Sequence, residues 1–473
     1  MPDIRVHGFA GRIDAPNPFW LASAPPTNCG EQIMRAFDAG WGGAVWKTIG
    51  EPVKNVCSRY SATDWNGLRM MGLNNIELIS DRTVEENLRE MAEVKKRYPY
   101  HAVIASLMVA SNREAWHEIV ARAEDAGADG LELNFGCPHG MSERGMGSAV
   151  GQVPEYTEMI TAWVKEKART PVLVKLTPNI SDIRTVARAA KRGGADGLSA
   201  INTINSITGI DLDTLVPRPN VDGKSSHGGY CGPAVKPIAL NMVQQIMSDP
   251  ESALPLSGIG GISSWRDAVE FILLGSGTVQ VCTAVMHYGY RVVEDMAEGL
   301  ENWMRSKGFA TLEEFRGLSI ERVTEWKHLN LNYKTVAHIN EQTCIGCDLC
   351  HIACWDGAHQ CIHLDRVEGP INGHVELHST PPIIEERSRT SIATTPVTRQ
   401  ERAAAAAGHG PYPTSLARIP RVDETECVGC NLCSLVCPVD DCITMVRVDT
   451  GLPSETWDQR TDGAAYATQP QTS

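Results

Sequence analysis

The sequence predicts an α/β fold, a (β/α)₈ barrel (TIM barrel), followed by a small cysteine-rich α+β domain. Residues 18–286 repeat one pattern, in which a short apolar run is followed by a polar or glycine-rich turn and then by an amphipathic helix. The pattern occurs eight times, as expected for a barrel of eight parallel strands. Beyond it, two short runs at 344–354 and 427–437 hold eight of the 15 cysteines.

The eight predicted strands are apolar throughout rather than alternating, which is typical of parallel strands that are covered on both faces. A doubly wound sheet would also alternate strands with helices. The barrel is favoured because the count is eight and because no dinucleotide-binding G-x-G-x-x-G follows a strand. The strands are PFWLAS (18–23), GAVWK (43–47), AVIASLM (102–108), GLELN (130–134), VLVKL (172–176), GLSAIN (197–202), PLSGI (255–259) and VQVCT (279–283).

The segments between these strands carry the periodicity of amphipathic helices. In TVEENLREMAEVKK (83–96), four apolar residues fall on one stripe of a helix. Helix ends are marked by DAGADG (125–130) and RGGADG (192–197), where a glycine can adopt a left-handed cap. Two connections at the carboxyl ends of the strands, 48–80 and 203–233, are too long for simple turns. Such long loops are often lids or substrate walls.

The predicted domain boundaries follow from these patterns. Residues 1–310 form the barrel, and 311–335 form a connecting helical segment. Residues 336–449 form the cysteine-rich domain, with a flexible insertion at about 366–419 that shows little apolar periodicity. The tail at 450–473 is predicted to be disordered.

Composition narrows the classes of partner. The formal net charge is −14, which argues against nucleic acid and against an anionic membrane surface as partners. No apolar run approaches the ~20 residues that a membrane helix needs, and no secretory leader is recognisable. We therefore expect a soluble cytoplasmic protein, in which clustered cysteines indicate metal rather than disulfides.

The two cysteine runs, CIGCDLCHIAC and CVGCNLCSLVC, share the spacing C-x2-C-x2-C-x3-C. In bacterial-type two-cluster ferredoxins, three cysteines of such a run bind one [4Fe–4S] cluster and the fourth binds the other. Structural zinc is the alternative, but zinc sites use two separated pairs of ligands. Cys361 and Cys442 are left over and are interpreted as small buried residues. The predicted clusters are bound by Cys344, Cys347, Cys350 and Cys437, and by Cys427, Cys430, Cys433 and Cys354.

Two clusters form an electron relay, and a relay needs a group that accepts single electrons and transfers pairs. A flavin does this. SGIGGIS (257–263) ends the seventh strand and opens a helix, so the N–H groups of Gly260 and Gly261 can bind a phosphate there. The loops after strands seven and eight are the usual phosphate site of a barrel. A mononucleotide, FMN, therefore fits better than a dinucleotide.

Five polar residues at or near the strand ends are further candidates. Lys47 and Lys175 end the second and fifth strands, where a lysine that faces the interior needs an anionic partner. A reduced flavin is one such partner, and a buried carboxylate is the alternative. Asn134 and Asn202 close strands, and Asn75 lies in a long loop. Amides suit a planar ring with alternating N–H and C=O groups, although each asparagine could also cap a turn.

A thiol, Cys137, follows the fourth strand in the glycine-rich segment LELNFGCPHGMSERGMG (131–147). Two interpretations are open, a small filler residue or a proton donor above a cofactor. A free thiol has a pKa near ~8.5 and is mostly protonated at pH 7. A mobile loop would let the thiol close over a bound ring and then withdraw. The position at the catalytic face of a barrel favours the proton donor.

Several segments together closely resemble the dihydropyrimidine dehydrogenases. A barrel followed by a two-cluster ferredoxin domain is similar to one subunit of the bacterial NAD-dependent enzyme. The resemblance covers residues 1–365 and 420–447. The segments are LELNFGCPHGMSERGMG, VKLTPN (174–179), INTINSITGIDL (201–212), GKSSHGGYCGPAVKPIAL (223–240), SGIGGIS and NNIELIS (74–80).

The resemblance implies that the protein reduces the C5=C6 bond of uracil and thymine. In this family the FMN hydroquinone gives hydride to C6 and a loop cysteine protonates C5, a role that falls on Cys137. The implied pyrimidine contacts are Asn75, Asn134, Asn202 and Thr203, with Gly136 beside them. The implied FMN contacts are Ser23, Lys47, Thr48, Lys175, Gly232, Ile259, Gly260, Gly261, Cys282 and Thr283.

The chain departs from the family pattern in three ways. Gly136 stands where a serine is expected before the cysteine, and the insertion between the cysteine runs is longer than usual. No NAD or FAD fingerprint is present, and in the bacterial enzyme those sites belong to a PreT-like FAD- and NAD-binding iron–sulfur flavoprotein. The resemblance thus implies a hetero-oligomer, in which electrons pass from NADH through the partner's FAD and the clusters to FMN.

Two other functions remain open from the sequence. One is a related flavin barrel that acts on another cyclic amide, such as dihydroorotate. The other is an electron-transfer module with the barrel as a scaffold. Bound FMN would exclude the hypothesis that the barrel is only a scaffold. A flavin spectrum that responds to uracil would argue against dihydroorotate as the substrate.

Overall fold

The computed structural model describes residues 2–9, 11–65, 68–366 and 418–460. The predicted flexible insertion at about 366–419 lies almost wholly outside the described residues. The chain divides into two units, Met1–Val323 and Thr324–Ser473.

Eight parallel strands form a closed barrel, which confirms the predicted fold class. The strands follow one another around the barrel in chain order, and the eighth pairs with the first. Each coincides with one of the eight apolar runs. They are β1 Phe19–Leu21, β2 Gly43–Val45, β3 Ala102–Leu107, β4 Gly130–Asn134, β5 Val172–Lys175, β6 Gly197–Ala200, β7 Leu256–Ile259 and β8 Thr278–Val281.

Helices follow the strands. Shorter helices at Ser148–Gly151 and Thr283–Tyr288 lie at the strand ends. In the described part of the chain, no helix is both long enough and apolar enough to cross a membrane. The main helices are α1 Gly30–Asp38, α2 Val84–Arg97, α3 Arg113–Asp125, α4 Pro154–Lys167, α5 Ile183–Arg192, α6 Lys236–Ser248, α7 Trp265–Leu273 and α8 Val292–Lys307.

Helix α2 shows how the sequence forms these elements. The Thr83 hydroxyl accepts a hydrogen bond from the backbone N–H of Glu86. The Glu86 carboxylate in turn accepts a hydrogen bond from the backbone N–H of Thr83. This capping box satisfies N–H groups that the first turn leaves without partners. Of the predicted apolar stripe, Leu88, Met91 and Val94 are buried and Val84 is half-buried. The stripe therefore packs α2 onto the barrel.

The two long connections form a four-stranded antiparallel sheet rather than irregular loops. Its strands, in spatial order, are Ile204–Ser206, Gly228–Cys231, Leu68–Asn75 and Tyr60–Trp65. Asn75 pairs in register with Tyr60 on one side and with Gly229 on the other. The Asn75 amide also donates to the Gly229 carbonyl at 3.0 Å. This sheet joins two distant segments and fixes the position of Asn75.

The described residues of the second unit form two antiparallel strand pairs and three short α-helices, the last of them Trp457–Arg460. Strand Lys334–Ile339 pairs with Ile443–Val448, and Ile362–Arg366 pairs with Arg418–Val422. Helix Leu349–Gly357 carries Cys350 and Cys354, and helix Leu432–Val436 carries Cys433 and is followed directly by Cys437. The segment predicted to be a helical connection, 311–335, contains the short 3₁₀ turns Leu312–Glu314, Ile320–Arg322 and Trp326–His328.

The predicted disordered tail begins with ordered residues. Leu331 donates its backbone N–H to the Glu455 carbonyl at 2.8 Å. The Arg460 guanidinium pairs with the Glu455 carboxylate at 2.6 Å, and the Trp457 ring packs against Trp326. The prediction is therefore wrong up to Arg460, because a polar segment is ordered by long-range contacts that its composition does not show. Residues 461–473 lie outside the described residues.

Candidate active site and cluster sites

A cavity with about 1130 Å³ of space, part of which is open to solvent, lies between the carboxyl ends of the barrel strands and the four-stranded sheet. Active sites of such barrels occur at this end. All the predicted barrel-site residues except Gly136 line the cavity. They are Ser23, Lys47, Thr48, Asn75, Asn134, Cys137, Lys175, Asn202, Thr203, Gly232, Ile259, Gly260, Gly261, Cys282 and Thr283.

Gly136 does not line the cavity but lies directly beside Asn202, which does. A Cβ at this position would lie 2.4 Å from the Asn202 Cβ and Nδ2 atoms, so a serine there would displace Asn202. The Gly136 N–H donates to Asn134 Oδ1 at 3.2 Å, and Asn202 Nδ2 donates to the same oxygen at 3.0 Å. Asn134 Nδ2 in turn donates to Thr48 at 2.9 Å. The glycine therefore makes room for a network that orients two of the predicted amides.

The loop after β7 offers free backbone donors. Gly260 and Gly261 have φ values of +130° and +76°, and added Cβ atoms would lie 2.6 Å from Ala239 Cβ and 2.8 Å from Lys236 Cβ, respectively. Within the described residues, the N–H groups of Gly260, Gly261 and Ile262 donate to no protein acceptor. Convergent unpaired N–H groups before a helix suit a phosphate. The loop therefore fits the phosphate of a mononucleotide.

Lys47 has a carboxylate partner that the sequence did not reveal. Its ammonium pairs with Glu77, and the side chains of the two residues are 6% and 7% exposed. Glu77 also accepts hydrogen bonds from the Tyr60 hydroxyl and from Arg59, the latter at 3.3 Å. Burial, and then the hydrogen bond to Glu77, raise the pKa of Tyr60. Of the two partners considered for Lys47, a flavin or a buried carboxylate, the structure therefore shows the carboxylate. The ammonium keeps further N–H donors for a ligand.

Lys175 also faces a carboxylate, but less closely. Its Nζ atom lies 3.5 Å from Oε1 of Glu132, which is wholly buried inside the barrel. That oxygen accepts no hydrogen bond among the described residues, whereas Oε2 accepts one from Gln280 at 3.0 Å. The lysine is thus held by an ion pair without a direct hydrogen bond, and its donors remain available to the cavity.

The Cys137 thiol is buried at the edge of the cavity. It is 9% exposed and packs with Ile79, Met108 and Met141. Its Sγ donates to the His139 carbonyl at 3.5 Å. Burial raises the pKa of Cys137 to about 11, which favours the neutral thiol. The group is therefore suited to donate a proton at neutral pH.

His139 lines the cavity as well, although the sequence did not single it out. Its Nε2 atom lies 3.0 Å from the Glu77 carbonyl oxygen, while Nδ1 has no partner among the described residues. Burial lowers the pKa of His139, so the imidazole is favoured in its neutral form. Its place two residues after Cys137 in the same loop was the available signal. Other lining residues that the sequence did not indicate are Tyr60, Glu77, Tyr230, Cys231 and Gln280.

In the second unit, the predicted cluster ligands form two groups around small cavities with about 320 and 330 Å³ of empty space. Each group combines three cysteines of one run with the fourth of the other, which is the arrangement that the spacing predicts. Four thiols around one cavity suit a [4Fe–4S] cluster. Cys442 and Cys361 each add a fifth thiol. The groups are Cys344, Cys347, Cys350 and Cys437, and Cys354, Cys427, Cys430 and Cys433.

Comparisons with known proteins agree with this geometry. The family model described as dihydroorotate dehydrogenase matches residues 10–304, and the model of the 4Fe-4S binding domain matches residues 420–440. The fold and the site thus define a barrel oxidoreductase with a ferredoxin-type domain, and the chain belongs to the dihydroorotate dehydrogenase family.

Within this family, the chain is similar to the NAD-dependent dihydropyrimidine dehydrogenase subunit PreA of Escherichia coli K12. The two are 47% identical over 354 residues, which cover 74% of this chain and 85% of that protein. Identity to the chloroplastic dihydropyrimidine dehydrogenase (NADP⁺) of Arabidopsis thaliana is 45% over 335 residues, covering 68% and 78%. The catalytic subunit of dihydroorotate dehydrogenase B (NAD⁺) of Pyrococcus abyssi is 38% identical over 309 residues, covering 64% and 96%. These relatives confirm the resemblance seen in the sequence.

We expect Gly136→Ser to destabilise the barrel. The new side chain would overlap Asn202, and such overpacking costs roughly 1–3 kcal/mol in the free energy of unfolding. Denaturant unfolding measures the change. Gly209→Ser is the matched control, because a Cβ at Gly209 meets nothing within 4 Å. Equal stability of the two variants would contradict the packing described for Gly136.

The buried Cys137 thiol should react slowly with iodoacetamide. At pH 8 a thiol with a pKa near 11 is ionised in only about one molecule in a thousand, and the thiolate is the reactive form. Peptide mass spectrometry should show the exposed Cys57 labelled first, and Cys137 labelling should continue to rise with pH up to about 10. A Cys137 rate that levels off below pH 9 would show that its pKa is not raised.

Proposed function

We propose that this protein is the catalytic subunit of an NAD-dependent dihydropyrimidine dehydrogenase, which reduces the C5=C6 bond of uracil or thymine to the 5,6-dihydro form. The supporting observation is that three amides and a protonated thiol converge on one cavity, as Asn75, Asn134, Asn202 and Cys137. The relatives named as dihydropyrimidine dehydrogenases are 45% and 47% identical, against 38% for the dihydroorotate enzyme. This class of enzyme degrades pyrimidines.

The amides have hydrogen-bonding capacity that matches a pyrimidine ring. Asn134 and Asn202 each use one amide N–H within the protein, towards Thr48 and Asn134 respectively. Each therefore keeps a second N–H for a ligand carbonyl. Asn75 donates to a backbone carbonyl, and its own Oδ1 is available to a ring N–H. Two donors and one acceptor in fixed positions suit the alternating C=O and N–H groups of uracil.

FMN is the cofactor that we propose for the cavity. When bound and reduced, it supplies hydride to the substrate. The free N–H groups of Gly260 and Gly261 would hold its phosphate, and Lys47 and Lys175 would donate hydrogen bonds to its ring with the N–H groups that their ion pairs with Glu77 and Glu132 leave available. The remaining residues proposed to contact it are Ser23, Thr48, Gly232, Ile259, Cys282 and Thr283.

Cys137 would complete the reaction as the acid. Its S–H bond breaks as a C–H bond forms at C5 of the pyrimidine, and the resulting thiolate recovers a proton from solvent. Burial of the thiol, which raises its pKa, keeps it protonated until the substrate carbon becomes basic. Packing against Met108 and Met141 limits water at the thiol.

A neutral substrate fits this cavity better than an anionic one. Among the described residues, the cationic side chains that line it are Lys47 and Lys175, and each already faces a carboxylate, Glu77 or Glu132. Dihydroorotate carries a carboxylate that would need an unpaired cation. Uracil and thymine carry no charge, so they are the favoured substrates. Titration of the flavin spectrum with uracil and with orotate separates the two possibilities.

The second unit would deliver the electrons. We propose two [4Fe–4S] clusters, one bound by each cysteine group. The E. coli relative is named as a subunit, and a PreT-like iron–sulfur flavoprotein is the partner that we propose, forming a hetero-oligomer and carrying FAD and the NAD(H) site. None of the 15 cysteines, all of them in the described part of the chain, forms a disulfide, which suits the reducing cytoplasm, where we place the enzyme.

Replacement of Cys137 should separate proton transfer from cofactor binding. Cys137→Ala should keep flavin and iron but reduce turnover with uracil by about 10²–10⁴, the usual contribution of a positioned acid. Cys137→Ser, a much weaker acid, should also be slow. Steady-state rates, absorbance and iron content measure these effects, with Cys57→Ala as the exposed-cysteine control. Near-normal turnover of Cys137→Ala would show that Cys137 is a packing residue and not the proton donor.

The isolated chain should reduce uracil with a one-electron donor, such as reduced methyl viologen, but should not oxidise NADH. The reason is that no G-x-G-x-x-G follows a strand, while the cysteine groups offer an entry for single electrons. Adding the partner flavoprotein should restore turnover with NADH. Cys430→Ala should block this route, although photoreduced flavin should still reduce bound uracil once. Uracil-dependent NADH oxidation by the isolated chain would refute the two-subunit scheme.

A further inference from the structure

Each cluster cavity is lined by five cysteines, one more than a [4Fe–4S] cluster uses. Cys361 lies in the cavity of Cys354, Cys427, Cys430 and Cys433, and Cys442 lies in the other. Both extra thiols are buried, with exposures of 4% and 2%. The sequence placed them as small filler residues. Both residues instead line the space that the clusters would occupy.

Cys361 is held directly beside a proposed ligand. Its Sγ atom lies 3.5 Å from Sγ of Cys354, which is van der Waals contact for two sulfurs. The turn between them is tight, since Gln360 donates its N–H to the Cys354 carbonyl at 3.1 Å. The Cys361 carbonyl accepts from Asp423 at 2.8 Å, which anchors it to the segment that carries the second cysteine run.

The two extra thiols differ in their partners. Cys442 donates its S–H to the Asn340 carbonyl at 3.7 Å, so this thiol has an oxygen acceptor of its own. Both thiols adjoin ligand sulfurs, Cys442 those of Cys344 and Cys437 and Cys361 those of Cys354 and Cys427. Among the described residues Cys361 has no oxygen acceptor, and its closest sulfur contact is Cys354 at 3.5 Å. A thiol that adjoins a ligand sulfur and is not held by an oxygen acceptor is placed to take over that ligand's iron atom. Cys361 is therefore the stronger candidate for a role towards the cluster.

We propose that Cys361 is a reserve ligand, which exchanges with Cys354 at one iron of the cluster bound by Cys427, Cys430 and Cys433. This inference rests on the cluster assignment made under the proposed function. In the exchange, the Fe–Sγ bond to Cys354 breaks and one to Cys361 forms, while the Cys361 proton passes to the released Cys354 thiolate. No electron is gained or lost, and the total charge is unchanged. Either thiol alone keeps the cluster fully ligated.

The test uses the full chain, purified without oxygen, and compares Cys354→Ala, Cys361→Ala and the double variant. Each single variant should keep about eight iron atoms per chain, because one of the two thiols remains. The double variant should lose about half of the iron or show the signal of a three-iron cluster. Iron and sulfide analysis and electron paramagnetic resonance of the reduced protein provide the readout.

Cys430→Ala is the control variant. It removes a proposed ligand that Cys361 cannot replace, because Cys361 lies next to Cys354. This variant should lose the cluster even with Cys361 present. Suppose that Cys354→Ala loses as much iron as the double variant and that Cys430→Ala also loses iron. The reserve role of Cys361 is then wrong, while the cluster assignment stands. If Cys430→Ala keeps all its iron, the cluster assignment itself is wrong.

Serine variants keep the test decisive if an alanine variant fails to fold, because serine preserves the side-chain volume. Cys354→Ser should give the spectrum of a cluster with four sulfur ligands, since Cys361 supplies the fourth. Adding Cys361→Ala to it should change the spectrum to that of a cluster with an oxygen ligand. Identical spectra for these two serine variants would overturn the proposal.

Discussion

Closure of the parallel barrel is the constraint on which the first unit depends. Each strand has a hydrogen-bonded neighbour on both sides, so no strand edge is left open. Closure also brings eight carboxyl ends to one rim, which is why residues as distant in sequence as Ser23 and Thr283 line one cavity. The four-stranded sheet then covers this rim with two segments that are not neighbours in the chain. Chemistry from many loops is thereby concentrated at a single place.

Charge pairing inside that rim sets the character of the cavity. Lys47 faces Glu77 and Lys175 faces Glu132, so each buried ammonium has a counter-charge before any ligand enters. Burying one charge without a partner is expensive, and the pairs remove most of that cost. Around them lie neutral groups, the amides, the Cys137 thiol and the His139 imidazole. The cavity therefore contains two lysines whose charges are balanced by Glu77 and Glu132 before any ligand binds.

The sequence predicted features that depend on local pattern. The eight strands appear as apolar runs, and the cysteine groups follow from spacing alone, since ligand spacing is a local property. Half of the four-stranded sheet was missed because Ile204–Ser206 and Gly228–Cys231 have only three and four residues, and the second of them pairs with the distant segment that ends at Asn75. The other two strands, Tyr60–Trp65 and Leu68–Asn75, pair with each other and had a local signal, the Asn-Gly at 66–67 between them. Glu77 was missed because its partner Lys47 is 30 residues away. The order of the tail up to Arg460 depends on contacts with residues 330–332 and has no local signature.

Cysteines of both runs line each cavity of the second unit, which has a consequence for how a cluster there would be made. Cys354 and Cys427 are separated by 72 residues, so a cluster that joins them closes a long loop. The entropy of closing a loop rises only logarithmically, by about 0.6 kcal/mol for each doubling of length. A long insertion is therefore tolerated, but neither cluster can be completed until the ribosome has released the second run. A cluster that both runs bind would therefore be assembled late in synthesis.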